Sequence, residues 1–208
     1  MSTPVARPEV YRFAGPVILW WAWLAFATAN LVDVAVQASA RFAVIVAAVL
    51  VTVTGVIYAC ALRPRVVADD AGLRVLNPVR DYRVPWGSVL AVDVGDWVQV
   101  RCAPVPGSAS GKVIDSWALF VPARTRLKAQ RRARDPALWS RSHRLPDEAR
   151  ALVALSPAQA IALQLDERAA RERSRGAEPG PLTASWAWPS LAAMAVPALA
   201  LIIVLVLA

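Results

Sequence analysis

Three long apolar runs, none containing a charged residue, punctuate the chain. They extend from about Phe13 to Val32, from about Phe42 to Leu62 and from Trp186 to Ala208. Each is near the roughly 20 residues that a helix needs to cross about 30 Å of hydrocarbon. A soluble domain of this size cannot cover three such segments on every side, so the pattern predicts three transmembrane helices. Pro16 and Pro189 fall in first turns, where the missing N–H does no harm, whereas Pro197 is expected to kink the third span. A cleaved secretory signal is the rival reading of the first run, with Arg7 and Arg12 ahead of it and Ala38-Ser39-Ala40 behind it. The run is too long for an ordinary signal core, and a second full run follows at once.

Between Arg63 and Ser185 the pattern changes to short alternating segments divided by turn residues. Arg65 to Ala68, Leu73 to Leu76, Tyr82 to Val84, Val89 to Val94, Trp97 to Cys102 and Ser116 to Val121 read as strands. Asp69-Asp70-Ala71-Gly72 reads as a tight turn in which Gly72 supplies an unusual backbone angle. Ser156-Pro157-Ala158-Gln159 is a capping-box pattern with proline at the first helical position. Ile161, Leu165 and the alanines at 158, 162 and 169 mark the apolar stripe of the helix, and Gly176 is placed to end it. A shorter helical piece is expected over Pro146 to Leu155.

The organisation expected is therefore a tail over 1–12, a helical hairpin over 13–62 and a β domain over 63–123. A basic insertion over 124–145, a helical closure over 146–176, a linker over 177–185 and a third span over 186–208 complete it. The fold class is α+β: three transmembrane helices with a small antiparallel β-barrel or sandwich closed by a C-terminal helix.

The chain has 208 residues, 57% of them hydrophobic, and a net charge of +8. Arg7 and Arg12 precede the first span, Arg63 and Arg65 follow the second, and Arg168, Arg171, Arg173 and Arg175 precede the third. By the positive-inside rule the N-terminus and the central domain are cytoplasmic and the C-terminus lies outside. Trp186 and Trp188 then belong to an aromatic belt. Trp20, Trp21 and Trp23 lie deeper, where they are expected to pack on another helix. Asn30 and Asp33 near the outer end of the first span read as interface residues, not as an ion path.

Little catalytic chemistry is legible. No GxSxG elbow, P-loop, GxGxxG or HExxH is present. Cys60 and Cys102 form no metal-like cluster, and His143, the only histidine, sits in a basic loop. Asp93 and Asp96 read as turn residues, and Trp86, Trp97 and Trp117 as core anchors. No cofactor and no metal site is expected. The unusual feature is the segment from Arg124 to Arg144. Arg124, Arg126, Lys128, Arg131, Arg132, Arg134, Arg141 and Arg144 stand there against the single acid Asp135, a net +7, with Trp139 among them. Beside a bilayer such a segment is attracted to anionic lipid by about 1 kcal/mol per basic residue at the surface. Contact with anionic lipid is expected of it, the alternative being a solvated loop whose charge merely keeps it inside; nucleic acid or an acidic protein is disfavoured, nucleic acid because no aromatic binding face accompanies the charge.

Leu62-Arg63-Pro64-Arg65-Val66-Val67 directly after the hairpin, then Asp70-Ala71-Gly72-Leu73-Arg74-Val75, then Val84-Pro85-Trp86-Gly87-Ser88-Val89, resemble the small PH-domain-containing membrane proteins of actinobacteria, the group that includes the low-molecular-weight protein antigen relatives. The likeness covers about Val17 to Val121. It implies a PH-like domain whose closing helix is Ser156 to Arg175. The basic segment and the third span depart from that family's pattern. The acidic turn Asp69-Asp70 stands where phosphoinositide-binding PH domains place basic residues, so no inositide site is implied. The function expected is a non-enzymatic scaffold or interaction module at the inner leaflet of the cell membrane, with a protein partner. The alternative is an accessory subunit of a transport or cell-envelope complex bound through its spans.

Overall fold

The computed structural model describes residues 8–104, 111–120 and 156–207. The basic segment 124–144 and the expected helical piece at Pro146 to Leu155 lie outside the described residues. In chain order the elements are β1 (Glu9–Tyr11), α1 (Ala14–Gln37) and α2 (Ala40–Ile57), the last continued by a π turn over Tyr58–Leu62. Then come β2 (Arg65–Ala68), β3 (Gly72–Leu76), β4 (Arg80–Pro85), a 3-10 turn (Trp86–Ser88), β5 (Val89–Val94), β6 (Trp97–Cys102) and β7 (Lys112–Phe120). The chain ends with α3 (Pro157–Ser174), β8 (Thr183–Trp186) and α4 (Trp188–Leu207).

Among the described residues three helices are long and apolar enough to cross a membrane: Ala14–Gln37, Ala40–Leu62 and Trp188–Leu207. The first continues five residues past its expected end at Val32 and so takes in Asp33. That carboxylate accepts a hydrogen bond from Gln37 one turn on, and Asn30 donates to the Phe26 carbonyl at 2.8 Å. Local partners of this kind let polar side chains sit in a helix without leaving it. Trp23 donates its indole N–H to Thr54 of α2 at 2.9 Å, and Trp20 meets Tyr58 edge-on, so these two pack between helices as expected. Trp21 does not; it faces outward.

The tightest helix crossing is between α2 and α4. A Cβ on Gly55 would run into the backbone carbonyl of Ala193. That carbonyl lies four residues before Pro197, inside α4. Proline has no N–H, so the Ala193 carbonyl lacks its ordinary helical donor. The missing side chain of Gly55 is what allows α2 to close on this part of α4.

The strands form two antiparallel sheets and are not closed into one barrel. The first has the order β1-β2-β3-β4-β8 and the second β5-β6-β7. The 3-10 turn at Trp86–Ser88 carries the chain from one sheet to the other, so β4 and β5 do not pair. Both ends of the first sheet correct the sequence expectation. Glu9–Tyr11 of the expected tail pairs with Val66–Ala68, and Thr183–Trp186, mostly expected as linker, pairs with Arg80–Arg83. The third helix accordingly starts at Trp188, because Trp186 is held in the ladder.

Val66, Leu73, Val75 and Val84 of the first sheet, Val98 and Val100 of the second and Leu165 of α3 fill a common core. The stripe of α3 is buried at Ala158, Ala162, Leu165 and Ala169. Its N-terminus carries the capping box: Ser156 Oγ accepts from Gln159 N–H while the Gln159 side chain accepts from Ser156 N–H. Its C-terminus is a Schellman turn, with Ala177 N–H bonded to the Glu172 carbonyl, Gly176 N–H to that of Arg173, and Gly176 at φ +88°. Gly72 supplies the unusual backbone angle expected of it, a positive φ of 158°, and a Cβ there would also strike the Val84 carbonyl across the ladder.

Trp86 is 2% exposed and donates its indole N–H to the Asp69 carbonyl at 2.8 Å. Trp97 and Trp117 are not core anchors. They stack on each other at the outer surface, with ring centres 4.9 Å apart. The ordinary alternation of β7 carries Trp117 outward, between buried Ser116 and Ala118, and the β6–β7 register shifts between Trp97 and Val98, where Ala118 and Leu119 are buried in succession.

Two stability outcomes follow. Trp86→Ala removes a core side chain and is expected to destabilise the domain by about 3–5 kcal/mol, against no more than about 1 kcal/mol for Trp117→Ala. Equal shifts in the detergent-phase thermal midpoint would contradict this partition. Gly55→Val is expected to weaken the α2–α4 crossing by about 1–3 kcal/mol, measured by SDS titration of the folded chain in mixed micelles.

Candidate functional site

All three apolar helices run into strands of one sheet, and their junctions lie at one end of it. Two residues join β1 to α1, two join the π turn to β2, and one joins β8 to α4. The registers align these ends: Tyr11 lies opposite Val66, Arg65 opposite Leu76, Leu76 opposite Asp81 and Arg80 opposite Trp186.

Arg63 organises the seam. Its guanidinium grips the Asp81 carboxylate with two bonds, of 2.9 and 2.6 Å, and donates to the Asn77 carbonyl at 2.5 Å. Only 9% of the Arg63 side chain is exposed. A cation removed from water to this extent must be paired, and a planar fork on a carboxylate is the geometry that does so best. The Asn77 side chain carries the connection into the second sheet: it accepts from Trp117 N–H at 2.9 Å and donates to the Asp115 carbonyl at 2.8 Å. In the same turn the Val79 carbonyl accepts from Ala187 N–H, at the start of α4. Arg80 lies over the ring of its cross-strand neighbour Trp186, 4.4 Å from the centroid. The β3–β4 turn thus ties the end of α2, the start of α4 and β7 together.

At the far end of the domain a second cation, Arg168 of α3, plays a similar part. It lies 3.3 Å from Glu9 and 3.7 Å from Asp70, donates to the Asp69 carbonyl and covers the Trp86 ring. Tyr11 donates to Glu9 at 2.6 Å, and burial together with that carboxylate pushes its phenol up to about 12. The exposed edge of β5 is closed by α3. Asp166 accepts from Val92 N–H, while Arg173 donates to the carbonyls of Val89 and Leu90. This leaves those edge groups satisfied and unavailable for strand addition.

No arrangement of reactive groups stands out among the described residues. Among the described residues no group of three or more His, Cys, Asp or Glu is placed to hold a metal ion. Asp93 pairs with Arg101 at 2.7 Å. Burial pushes the Cys102 thiol up to about 11, so it is protonated and unreactive at neutral pH. The sequence-derived contact residues Arg124, Arg126, Lys128, Arg131, Arg132, Arg134, Trp139, Arg141 and Arg144 lie outside the described residues, as does His143. The seam itself went unanticipated. Arg63 reads in sequence as an orienting charge beside a span, and nothing local links it to Asp81, whose partnership depends on the β2–β3–β4 register.

No family model, curated protein or solved structure matches the chain.

Arg63→Ala leaves the Asp81 carboxylate without its partner in a partly buried site and is expected to cost about 2–4 kcal/mol. The double variant Arg63→Met with Asp81→Leu should recover part of that loss, because it removes both charges. A chemical-denaturation cycle over the native chain, Arg63→Met, Asp81→Leu and the double variant measures the coupling. Additive effects would mean that the pair does not hold the seam.

Proposed function

We propose that the protein is a non-enzymatic integral membrane protein that presents a PH-like domain as an interaction module at the inner leaflet. The observation that carries this reading is the seam: three helices able to cross a membrane continue into three strands of one sheet. A domain attached by flexible linkers would sample many orientations. One attached through β1, β2 and β8 is displayed in a single pose, which serves recognition of a partner in or on the same membrane. The PH-like reading is supported by two antiparallel sheets packed on a helix that closes one strand edge. The acids of the β2–β3 turn are engaged by Arg168 and by Arg83 at 3.7 Å, and they speak against an inositide site there.

The positive-inside distribution of arginines supports a cytoplasmic domain. On that side the anionic headgroups of the inner leaflet are the partner that the +7 charge of the segment from Arg124 to Arg144 favours. The module then has two contacts: a protein partner for the domain and the inner leaflet for the basic segment.

Trypsin cleavage between Arg124 and Arg144, measured on the full chain in nanodiscs, tests the lipid contact. Cleavage should be slower with phosphatidylglycerol than with phosphatidylcholine. The difference should vanish near 1 M salt, where the Debye length is about 3 Å. Arg131→Ala, Arg132→Ala and Arg134→Ala together should remove up to about 3 kcal/mol of the attraction at low salt. Equal cleavage in both lipids would rule the contact out. The protein contact is tested by replacing residues 14–57 and 188–207 with unrelated apolar helices while keeping β1 and β8. A partner recovered in mild detergent should follow the domain; a partner lost with the native helices would instead indicate a subunit bound through its spans.

A further inference from the structure

Trp97 and Trp117 pack against each other at the surface of the domain, their ring planes tilted by 30°, with Trp97 half-buried and Trp117 47% exposed. Tryptophan presents a large apolar body with one N–H donor, and a soluble surface rarely displays two side by side. The alternation of β7 aims Trp117 outward, between buried Ser116 and Ala118.

The position of the pair indicates what covers it. β7 is the edge strand of the second sheet opposite β5, and Asn77 ties its backbone at Asp115 and Trp117 to the β3–β4 turn. That turn receives Arg63 from the end of α2 and Ala187 from the start of α4. The pair therefore lies at the end of the domain that meets the helices. Val79 in the same turn is 45% exposed, and Trp186 and Trp188 beyond it are 49% and 70% exposed. Together these residues make an apolar strip that runs from the indole pair to the flank of α4. An occupant of the strip must also tolerate the exposed apolar helix surface that continues from it. A lipid bilayer meets both requirements, and its headgroup boundary is where tryptophan partitions.

We infer that Trp97 and Trp117 are an interfacial anchor: the two indoles enter the headgroup boundary of the bilayer crossed by the helices and seat the second sheet against it. This rests on the membrane reading of the helices. The seam fixes the first sheet through covalent junctions, and the indole pair gives the second sheet a contact of its own.

The experiment uses the full chain labelled with 5-fluorotryptophan in nanodiscs, read by 19F NMR with and without lipid carrying a headgroup nitroxide. Single Trp97→Phe, Trp117→Phe, Trp186→Phe and Trp188→Phe variants assign the signals. Trp117→Phe alone suffices if the variant at 97 does not fold. The expected result is that the signals of Trp97 and Trp117 lose most of their intensity to the nitroxide, as those of Trp186 and Trp188 do, while buried Trp86 keeps its own. If Trp186 and Trp188 are broadened and Trp97 and Trp117 are not, the anchor is wrong and the membrane reading stands. If none of the four is broadened, both fall. Nitroxide-insensitive signals of Trp97 and Trp117 that shift with protein concentration would assign the pair to a second copy of the chain and overturn the anchor.

Discussion

The structure depends on a constraint of connectivity: β1, β2 and β8 of one sheet are each continuous with an apolar helix. Tilting α1, α2 or α4 against the domain would pull a strand end out of its ladder, because the junctions are one or two residues long. Hydrogen bonds between strands, each worth about 0.5–1.5 kcal/mol net, thereby become resistance to rotation at the seam. The Arg63–Asp81 fork adds to this where the strands themselves are weakest, at their ends.

The helices contribute through close approach. α1 joins α2 by the Trp23–Thr54 bond and the Trp20–Tyr58 contact, which are side-chain interactions with room to adjust. α2 and α4 meet at backbone level, Gly55 on the Ala193 carbonyl. Backbone contact is intolerant of added atoms but independent of rotamers, which suits a crossing that must bring Leu62 and Ala187 to adjoining points of one turn. The two ends of the domain divide the remaining work: Arg63 holds the helix end, and Arg168 holds the end where α3, β1 and the Asp69–Asp70 turn converge.

Much of this was legible in the sequence. Three spans, six strands and the capped helix were readable because each has enough residues to display its period, or a cap whose chemistry is local. β1 and β8 were not, since three and four residues cannot show an alternation, and both become strands only through pairing with β2 and β4. Trp86, Trp97 and Trp117 look alike in sequence. Trp86 follows Pro85 into a turn that buries it, whereas Trp117 falls on the outer face of β7 with Val113 and Asp115. Arg63 with Asp81 was illegible because the pair exists only through the register of three strands. The basic segment is the converse case, obvious in composition while lying outside the described residues.

The sheet order also bears on how the chain is made. β2, β3 and β4 can pair as soon as they are synthesised, being joined by short turns. β1 has to wait until the whole helical hairpin has passed, and β8 appears only just ahead of α4. Completion of the sheet and placement of the last helix are therefore a single event during biogenesis. An α4 inserted with the wrong orientation would carry β8 away from β4 and leave an unpaired strand edge, the kind of surface that quality-control proteases and chaperones recognise. If the apolar helices cross a membrane as proposed, the fold contains its own check on whether the chain has been threaded correctly.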